Sequence, residues 1–189
     1  MPNKPIIIAE CGHNFLGSIR WAKTMIWEAK ECGADIVKFQ LYNTDKIKKY
    51  YQSRYSELLL SELTKEDLKE LFLESQKADI EFMASAFDPE RVGWLEEIGV
   101  LKHKLASRSV FDQELINAME KTEKPIIASL GWWQTEEFPQ IRNARFLYCV
   151  SEYPAKITDD MFPKDFTKYA GFSDHTIELD WVKEAVRRG

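Results

Sequence analysis

Several residues in this chain are of types that hold anions, move protons or bind metals, and each stands at the end of a short apolar run. In order they are Glu10, then Lys38 and Gln40, then Ser85, Lys104 and Ser107, Ser129, Ser151 and Tyr153, and finally Ser173, Asp174 and His175. A serine at such a place is most simply a loop residue. Lys38 and Lys104 are more informative. A lysine flanked by apolar residues loses the hydration of its ammonium unless an anion meets it. Two such lysines with several hydroxyls describe a site for a small phosphate- or carboxylate-bearing ligand. His175 follows Ser173 and Asp174 on the same rim, where an imidazole serves as a metal ligand or a proton carrier. His13 and His103 have less support. His103 alternates with Lys104, so the two face opposite sides of a strand. The six tryptophans read as core and rim packing; for the loop pair Trp132 and Trp133, exposure over the site is the alternative to the packing that such pairs usually serve.

The elements that position these residues follow from the hydropathy pattern. Short apolar runs fall at residues 5–9, 35–39, 80–84, 102–106, 125–129, 145–150 and 169–172. They lack strict alternation, as buried parallel strands do. Helical spacings lie between them. Ser18 caps a segment with Ile19, Ala22, Ile26 and Ala29 on one face, ending before Gly33. Thr64 opens a second, and Asp88-Pro89 a third with proline in the first turn. Asp112, Thr135 and Thr158 are further candidate caps, although Pro139 interrupts the Thr135 segment. Residues 177–188 form a last helix. Strand–helix alternation predicts a parallel sheet with right-handed crossovers. Seven units of roughly 25 residues predict a (β/α)8 TIM-barrel-type α/β fold, apparently lacking the eighth strand, in a single domain over residues 1–189. Chemistry in such a barrel sits at the C-terminal strand ends, where the polar residues lie. Residues 41–63 are a long, Tyr-rich, charged insertion after strand two.

Composition narrows the function class. The chain has 189 residues, with 26 Lys+Arg against 31 Asp+Glu and a net charge of −5. An acidic balance argues against nucleic acid as the main partner. No apolar run approaches the ~20 residues that span a bilayer. Three cysteines without paired spacing argue against a disulfide framework, and the expected location is the cytoplasm.

Six runs together carry a family resemblance. They are Ile-Ala-Glu-Cys-Gly-His-Asn-Phe-Leu-Gly (8–17), Gly-Ala-Asp-Ile-Val-Lys-Phe-Gln (33–40), Lys-Leu-Ala-Ser (104–107), Lys-Pro-Ile-Ile-Ala-Ser-Leu-Gly (124–131), Cys-Val-Ser-Glu-Tyr-Pro (149–154) and Gly-Phe-Ser-Asp-His-Thr (171–176). In this order and spacing the chain resembles the N-acetylneuraminate (sialic acid) synthase family over nearly its whole length. The resemblance implies a (β/α)8 barrel that condenses phosphoenolpyruvate with N-acetylmannosamine or a related hexosamine, using a divalent metal, typically manganese. It assigns Lys38, Ser85, Lys104, Ser107, Ser129 and Ser173 to phosphoenolpyruvate, and Gln40 and Tyr153 to the sugar. Glu10 becomes the carboxylate beside the reacting centre, and His175 one of two metal histidines.

The departures from that pattern are specific. A family carboxylate two residues after the Ser107 position is Ser109 here. An early Asn-His is Asn14-Phe15, and an asparagine on strand six is Ser151. The Glu-Lys-His-Phe motif with the second metal histidine, and the antifreeze-like domain, are not in this sequence. With one imidazole, metal binding is expected to be weak and easily chelated. The expected partners are small molecules, together with a homo-oligomer or a second chain completing the barrel. Three readings stay open: a synthase or its N-terminal piece, a non-catalytic barrel remnant, and a related phosphoenolpyruvate-condensing aldolase for another sugar.

Overall fold

The computed structural model describes residues 4–47 and 52–189. Their contacts divide them into two compact units, Met1–His103 and Lys104–Gly189.

The first unit begins with β1 (Ile8–Gly12), α1 (Ile19–Glu31) and β2 (Ile36–Leu41). After β2 come α2 (Thr44–Ile47), a 3-10 turn (Gln52–Arg54), α3 (Tyr55–Leu60) and α4 (Lys65–Lys77). The unit closes with β3 (Glu81–Ala86) and α5 (Pro89–Ile98). Strands β1, β2 and β3 are parallel sequential neighbours, with Glu10 opposite Lys38 and Gln40 opposite Ser85. This register gives the sheet two unlike faces, because side chains alternate along each strand. Val37, Phe39, Phe82 and Ala84 share one face, which is buried. There Phe39 stacks on Phe82 at 5.8 Å, and Phe72 of α4 meets Phe82 edge-on at 6.0 Å. Glu10, Lys38, Gln40 and Ser85 share the opposite face. The helices start where their caps indicate. Ser18 accepts from the Trp21 N–H, Thr64 and Asp67 form a reciprocal capping box, and Asp88 accepts from the Arg91 N–H ahead of Pro89.

The strands run further than the apolar runs suggest. β1 starts at Ile8 rather than residue 5, because the Ile7 N–H is taken by the Asp35 carboxylate at 2.9 Å. It then continues through Glu10, and β2 and β3 likewise continue through Gln40 and Ser85. These polar groups therefore sit in the last rungs of strands, held by backbone hydrogen bonds, and not in loops. The segment after β2, expected as an insertion, folds onto itself. Tyr42, Ile47 and Leu58 pack together, and the Tyr42 hydroxyl donates to the Leu58 carbonyl at 3.0 Å. Its residues 48–51 lie outside the described ones.

The second unit follows β4 (His103–Leu105), which crosses the division. A 3-10 turn (Ser107–Ser109), α6 (Gln113–Glu120), β5 (Ile126–Ser129), β6 (Ala144–Cys149), β7 (Gly171–Ser173) and α7 (Asp180–Arg187) complete it. β5, β6 and β7 are parallel sequential neighbours, with Ser129 opposite Leu147 and Cys149 opposite Ser173. Phe146, Tyr148 and Phe172 alternate with these residues and face an aromatic cluster. There Phe162 lies 5.1 Å from Phe166, 4.8 Å from Trp181 and 5.5 Å from Tyr148.

Two expected helices do not form. Thr135 donates to the Glu137 carbonyl at 3.0 Å instead of capping, and Trp133 Nε1 donates to the same oxygen at 2.7 Å. Thr158 closes a single turn on Met161 and Phe162, which Pro163 ends. The last helix starts at Asp180, because the Asp174 carboxylate and the Glu178 carbonyl hold Thr176 in a turn. The tryptophans are not core residues: Trp21, Trp27 and Trp132 are exposed and Trp94, Trp133 and Trp181 are half-buried. Ile6 and Ile7 are exposed, and Tyr169 and Phe172 are half-buried against the aromatic cluster.

The cluster around Phe162 sets the order of two substitutions. Phe162→Ala, which empties a fully buried site, is expected to cost about 3–5 kcal/mol. Thr64→Ala, which removes only a cap, is expected to cost about 1 kcal/mol. Denaturant unfolding of the two variants measures both, and equal losses would contradict this packing.

Candidate functional site

In the first unit, Glu10 and Lys38 occupy opposed rungs of β1 and β2, and the Lys38 ammonium donates to the Glu10 carboxylate. Lys38 is buried, while nearly half of the Glu10 side chain stays accessible. The pairing register slips by one residue after Glu10, so Gly12 lies opposite Phe39 with φ +57°. Such a bulge re-aims neighbouring side chains. A Cβ on Gly12 would stand 3.5 Å from Glu10 Oε1 and 3.6 Å from Gln40 Nε2, which brings Glu10 and Gln40 to one small space. Ser85 is buried opposite Gln40. Glu10, Lys38, Gln40 and Ser85 therefore form one polar group.

The second unit builds a different group from hydroxyls. Lys104 is buried, and its ammonium donates to Ser129 Oγ at 2.8 Å and to the Leu105 carbonyl at 2.8 Å. Among the described residues no carboxylate pairs with it. Burial without a counter-anion pulls its pKa down from the ordinary 10.5 to about 8, against a small opposing pull from Cys149. Beside it, Ser151 Oγ donates to Ser107 Oγ at 2.9 Å, and Ser107 Oγ accepts from the Trp132 N–H at 2.9 Å. Gly131 has to be glycine, because a Cβ there would overlap the Ser151 hydroxyl and stand 2.9 Å from Ser107 Oγ. Cys149 and Ser173 are register partners on the same face as Ser129. Burial pushes the Cys149 thiol up, while Lys104, Ser151, Ser173 and the Gly131 backbone pull it down.

Sequence reasoning did not single out Cys149, since cysteine in an apolar run reads as core. Its place in the alternation, two residues before Ser151 and paired with Ser173, was the available signal. Lys38 and Lys104 belong to separate units; Lys38 meets Glu10 on the neighbouring strand, and Lys104 meets Ser129 and the Leu105 carbonyl.

Of the three histidines, one stands at this site. His103 is wholly buried with Nε2 3.0 Å from Glu96 Oε1 of α5, facing away from Lys104 as the alternation requires. His13 Nε2 faces Arg54 at 3.1 Å and Glu57 at 3.6 Å. His175 places Nδ1 2.8 Å from the Val150 carbonyl and Nε2 2.8 Å from the Tyr153 hydroxyl, with its ring stacked on Tyr153 at 4.0 Å. The carbonyl contact puts the proton on Nδ1 and leaves Nε2 with its lone pair, the form in which imidazole binds a metal. Among the described residues, however, no three His, Cys, Asp or Glu side chains gather where an ion would be held. The residues present do not fit a manganese site.

A cavity of about 510 Å³ opens next to Ser151 and Gly131. Its walls are Phe111, Trp132 and Trp133 with Gln134 and Thr135. The Phe111 and Trp133 rings stack at 5.3 Å.

Residues 25–189 match the family model described as "NeuB family". The chain belongs to the NeuB family. It is 30% identical over 92% of its length to an N,N'-diacetyllegionaminic acid synthase of Legionella pneumophila, covering 58% of that protein. It is 32% identical over 81% of its length to the mouse N-acetylneuraminate-9-phosphate synthase, covering 48% of it. The crystal structure of an N-acetylneuraminic acid synthetase from Leptospira borgpetersenii superposes with a TM-score of 0.91 at 29% identity, over 99% of this chain and 71% of that one. The chain thus spans about half the length of the curated relatives it matches. The likeness to the Leptospira structure makes the fold (β/α)8-barrel-type α/β, with seven strands and no eighth among the described residues. The family's sugar-acid synthases are the setting in which the two polar groups of this NeuB-family chain are read. No helix among the described residues is long and apolar enough to cross a membrane.

Lys104 gives a stability test. Between pH about 8 and 10.5 the unfolded chain binds a proton that the folded chain has released, so stability rises with pH across that window. Below about 8 the folded chain bears the whole cost of a buried ammonium. Lys104→Met is therefore expected to stabilise the chain at pH 7 by roughly 2–3 kcal/mol, with the gain shrinking toward pH 10.5. Melting curves at both pH values read it, and destabilisation at pH 7 would contradict the cost assigned to this ammonium.

Proposed function

We propose that this chain carries the phosphoenolpyruvate-binding part of a nonulosonic-acid synthase, which joins phosphoenolpyruvate to the aldehyde of N-acetylmannosamine or a related hexosamine. The observation behind this reading is the Lys104 ammonium, buried against Ser129 and a backbone carbonyl with no carboxylate beside it. A protein gains nothing in stability from such a charge. It gains an affinity for anions, which supply the missing countercharge in a dry site. Ser107, Ser151 and Ser173 add neutral donors that do not compete with the ligand for Lys104. The Leptospira synthetase, solved in complex with citrate, also accommodates a small polyanion.

In this reading Lys104 and Ser129 receive a charged oxygen of phosphoenolpyruvate, and the other hydroxyls orient it. The enol carbon C3 forms the new bond to the aldehyde carbon, whose oxygen takes up a proton. Water adds at the cationic C2, losing a proton, and phosphate leaves by cleavage of the C2–O bond. Glu10, held by Lys38 with nearly half of its side chain accessible, lies in the first unit, and the resemblance supplies its role as the carboxylate that handles a proton. The resemblance likewise supplies Gln40, beside Glu10, and Tyr153 as sugar-contacting residues. A resident divalent metal and the cytoplasmic setting are part of the proposal for the whole synthase, not of any step assigned to these residues.

Calorimetric titration with phosphoenolpyruvate tests this. Lys104→Ala is expected to lose roughly 2–5 kcal/mol of binding, and Ser129→Ala about 1 kcal/mol. Only the ammonium binds an anion, so affinity is expected to hold below pH about 8 and to fall as pH rises above it. Equal affinity for wild type and Lys104→Ala, or at pH 7 and 9.5, overturns the assignment.

A further inference from the structure

The cavity beside Ser151 has walls unlike anything in the lysine site. The Phe111 and Trp133 rings stack at 5.3 Å with 23° between their planes, so each leaves its outer face uncovered by the other. Phe111 is 62% and Trp132 47% exposed. Aromatic faces left in water cost free energy that a flat ligand recovers by stacking on them. Gln134, also exposed, holds a donor and an acceptor side by side in one amide plane. Such an amide matches the adjacent donor and acceptor on the edge of a purine base. Thr135 and Ser151 add hydroxyls, and no described residue lining the cavity is charged. A volume of about 510 Å³ has room for a nucleoside.

The wall is fixed before any ligand arrives, and it is tied to the anion site. Trp133 Nε1 and Thr135 Oγ1 both donate to the Glu137 carbonyl, and the Trp132 N–H donates to Ser107 Oγ. Ser151 lines the cavity and its Oγ donates to Ser107. Gly131 also lines it, two residues after Ser129, whose Oγ accepts from the Lys104 ammonium. Two Cα steps put Gly131 and Ser129 no more than about 7.6 Å apart. A ribose bridges such a gap between its base and its 5′-phosphate. All these residues belong to the second unit.

We infer that the cavity and the Lys104 cluster together take a purine nucleoside 5′-monophosphate, with the base on Phe111, Trp132 and Trp133 and the phosphate on Lys104. Such a ligand occupies the place that the condensation reading gives to phosphoenolpyruvate, and so inhibits by competition. The inference rests on that reading for the anion site alone, and adds to it a second class of ligand and a means of regulation. Each half of the ligand answers one observation. The base covers the exposed rings and meets the Gln134 amide. The phosphate supplies the countercharge that Lys104 lacks among the described residues. Neither half alone accounts for an aromatic wall and a carboxylate-free ammonium joined through Ser151 and Ser107.

Competition calorimetry and tryptophan fluorescence on the full chain test this, with adenosine 5′-monophosphate (AMP), adenosine, inorganic phosphate and phosphoenolpyruvate as separate probes. AMP is expected to quench the tryptophan emission and to displace phosphoenolpyruvate. Adenosine, which lacks the phosphate, is expected to bind about tenfold more weakly than AMP, and inorganic phosphate to leave the emission unchanged. Trp133→Ala and Phe111→Ala are each expected to weaken AMP about tenfold, while phosphoenolpyruvate affinity stays within about twofold. Gln134→Leu changes an exposed side chain and removes no ring, so it decides the matter where an aromatic variant fails to fold. It is expected to weaken AMP about fivefold. AMP binding that leaves phosphoenolpyruvate in place, that only equals adenosine binding, or that is unchanged in the variants overturns the inference. So does a chain that binds phosphoenolpyruvate through Lys104 and does not bind AMP. In each of these outcomes the condensation reading stands. Phosphoenolpyruvate affinity that is the same in Lys104→Ala sinks that reading, and the proposed competition with it.

Discussion

A buried ammonium needs a negative charge, and Lys38 and Lys104 meet that need in opposite ways. Lys38 has its anion built in, since Glu10 stands on the opposed rung of the neighbouring strand. Lys104 has hydroxyls and a carbonyl, and its pKa falls because dipoles only partly replace lost hydration. Much of the second unit's local geometry surrounds Lys104 and its hydroxyl partners. Gly131 gives up its Cβ so that Ser107 and Ser151 can meet, and Ser129 spends its hydroxyl on Lys104. Leaving Lys104 without a carboxylate among the described residues weakens the fold, and under the proposed function that same lack gives an incoming anion its hold.

The sequence made the architecture legible where local chemistry decides it. Ser18, Thr64, Asp88 and Asp112 cap helices because their side chains reach the third residue onward, a bond that depends on nothing distant. Thr135 and Thr158 have the same chemistry and fail, because tertiary partners compete. Glu137's carbonyl captures Thr135, and the residues after Thr158 join the aromatic cluster. Strand starts shifted for a similar reason: apolar runs mark where side chains are buried, whereas strand limits are set by backbone partners such as Ile7 with Asp35.

The site was legible in its polar half. Lysines and serines at strand ends stand out against apolar neighbours, and period-two alternation placed His103 away from Lys104 before any coordinates. What stayed hidden were residues whose type is common in cores. Cys149 and the stacking of Phe111 on Trp133 are visible only through register and ring geometry. The pairing of Lys38 with Glu10 was hidden as well, since the relative register of two parallel strands is not encoded in either one alone.

The family departures gain a physical sense from this geometry. Ser109 and Ser151 stand where the resemblance has a carboxylate and an asparagine, so these two positions near Ser107 hold small neutral groups. Ser151 is then short enough to lie over Gly131 while bonding Ser107. A carboxylate in that neighbourhood would compete with an incoming anion for the Lys104 charge. Hydroxyls do not, because each can turn its proton toward whichever acceptor arrives. The same neutrality extends into the aromatic cavity, where charge is absent among the lining residues. Under the proposed function an anion is drawn to Lys104, the buried ammonium beside these hydroxyls.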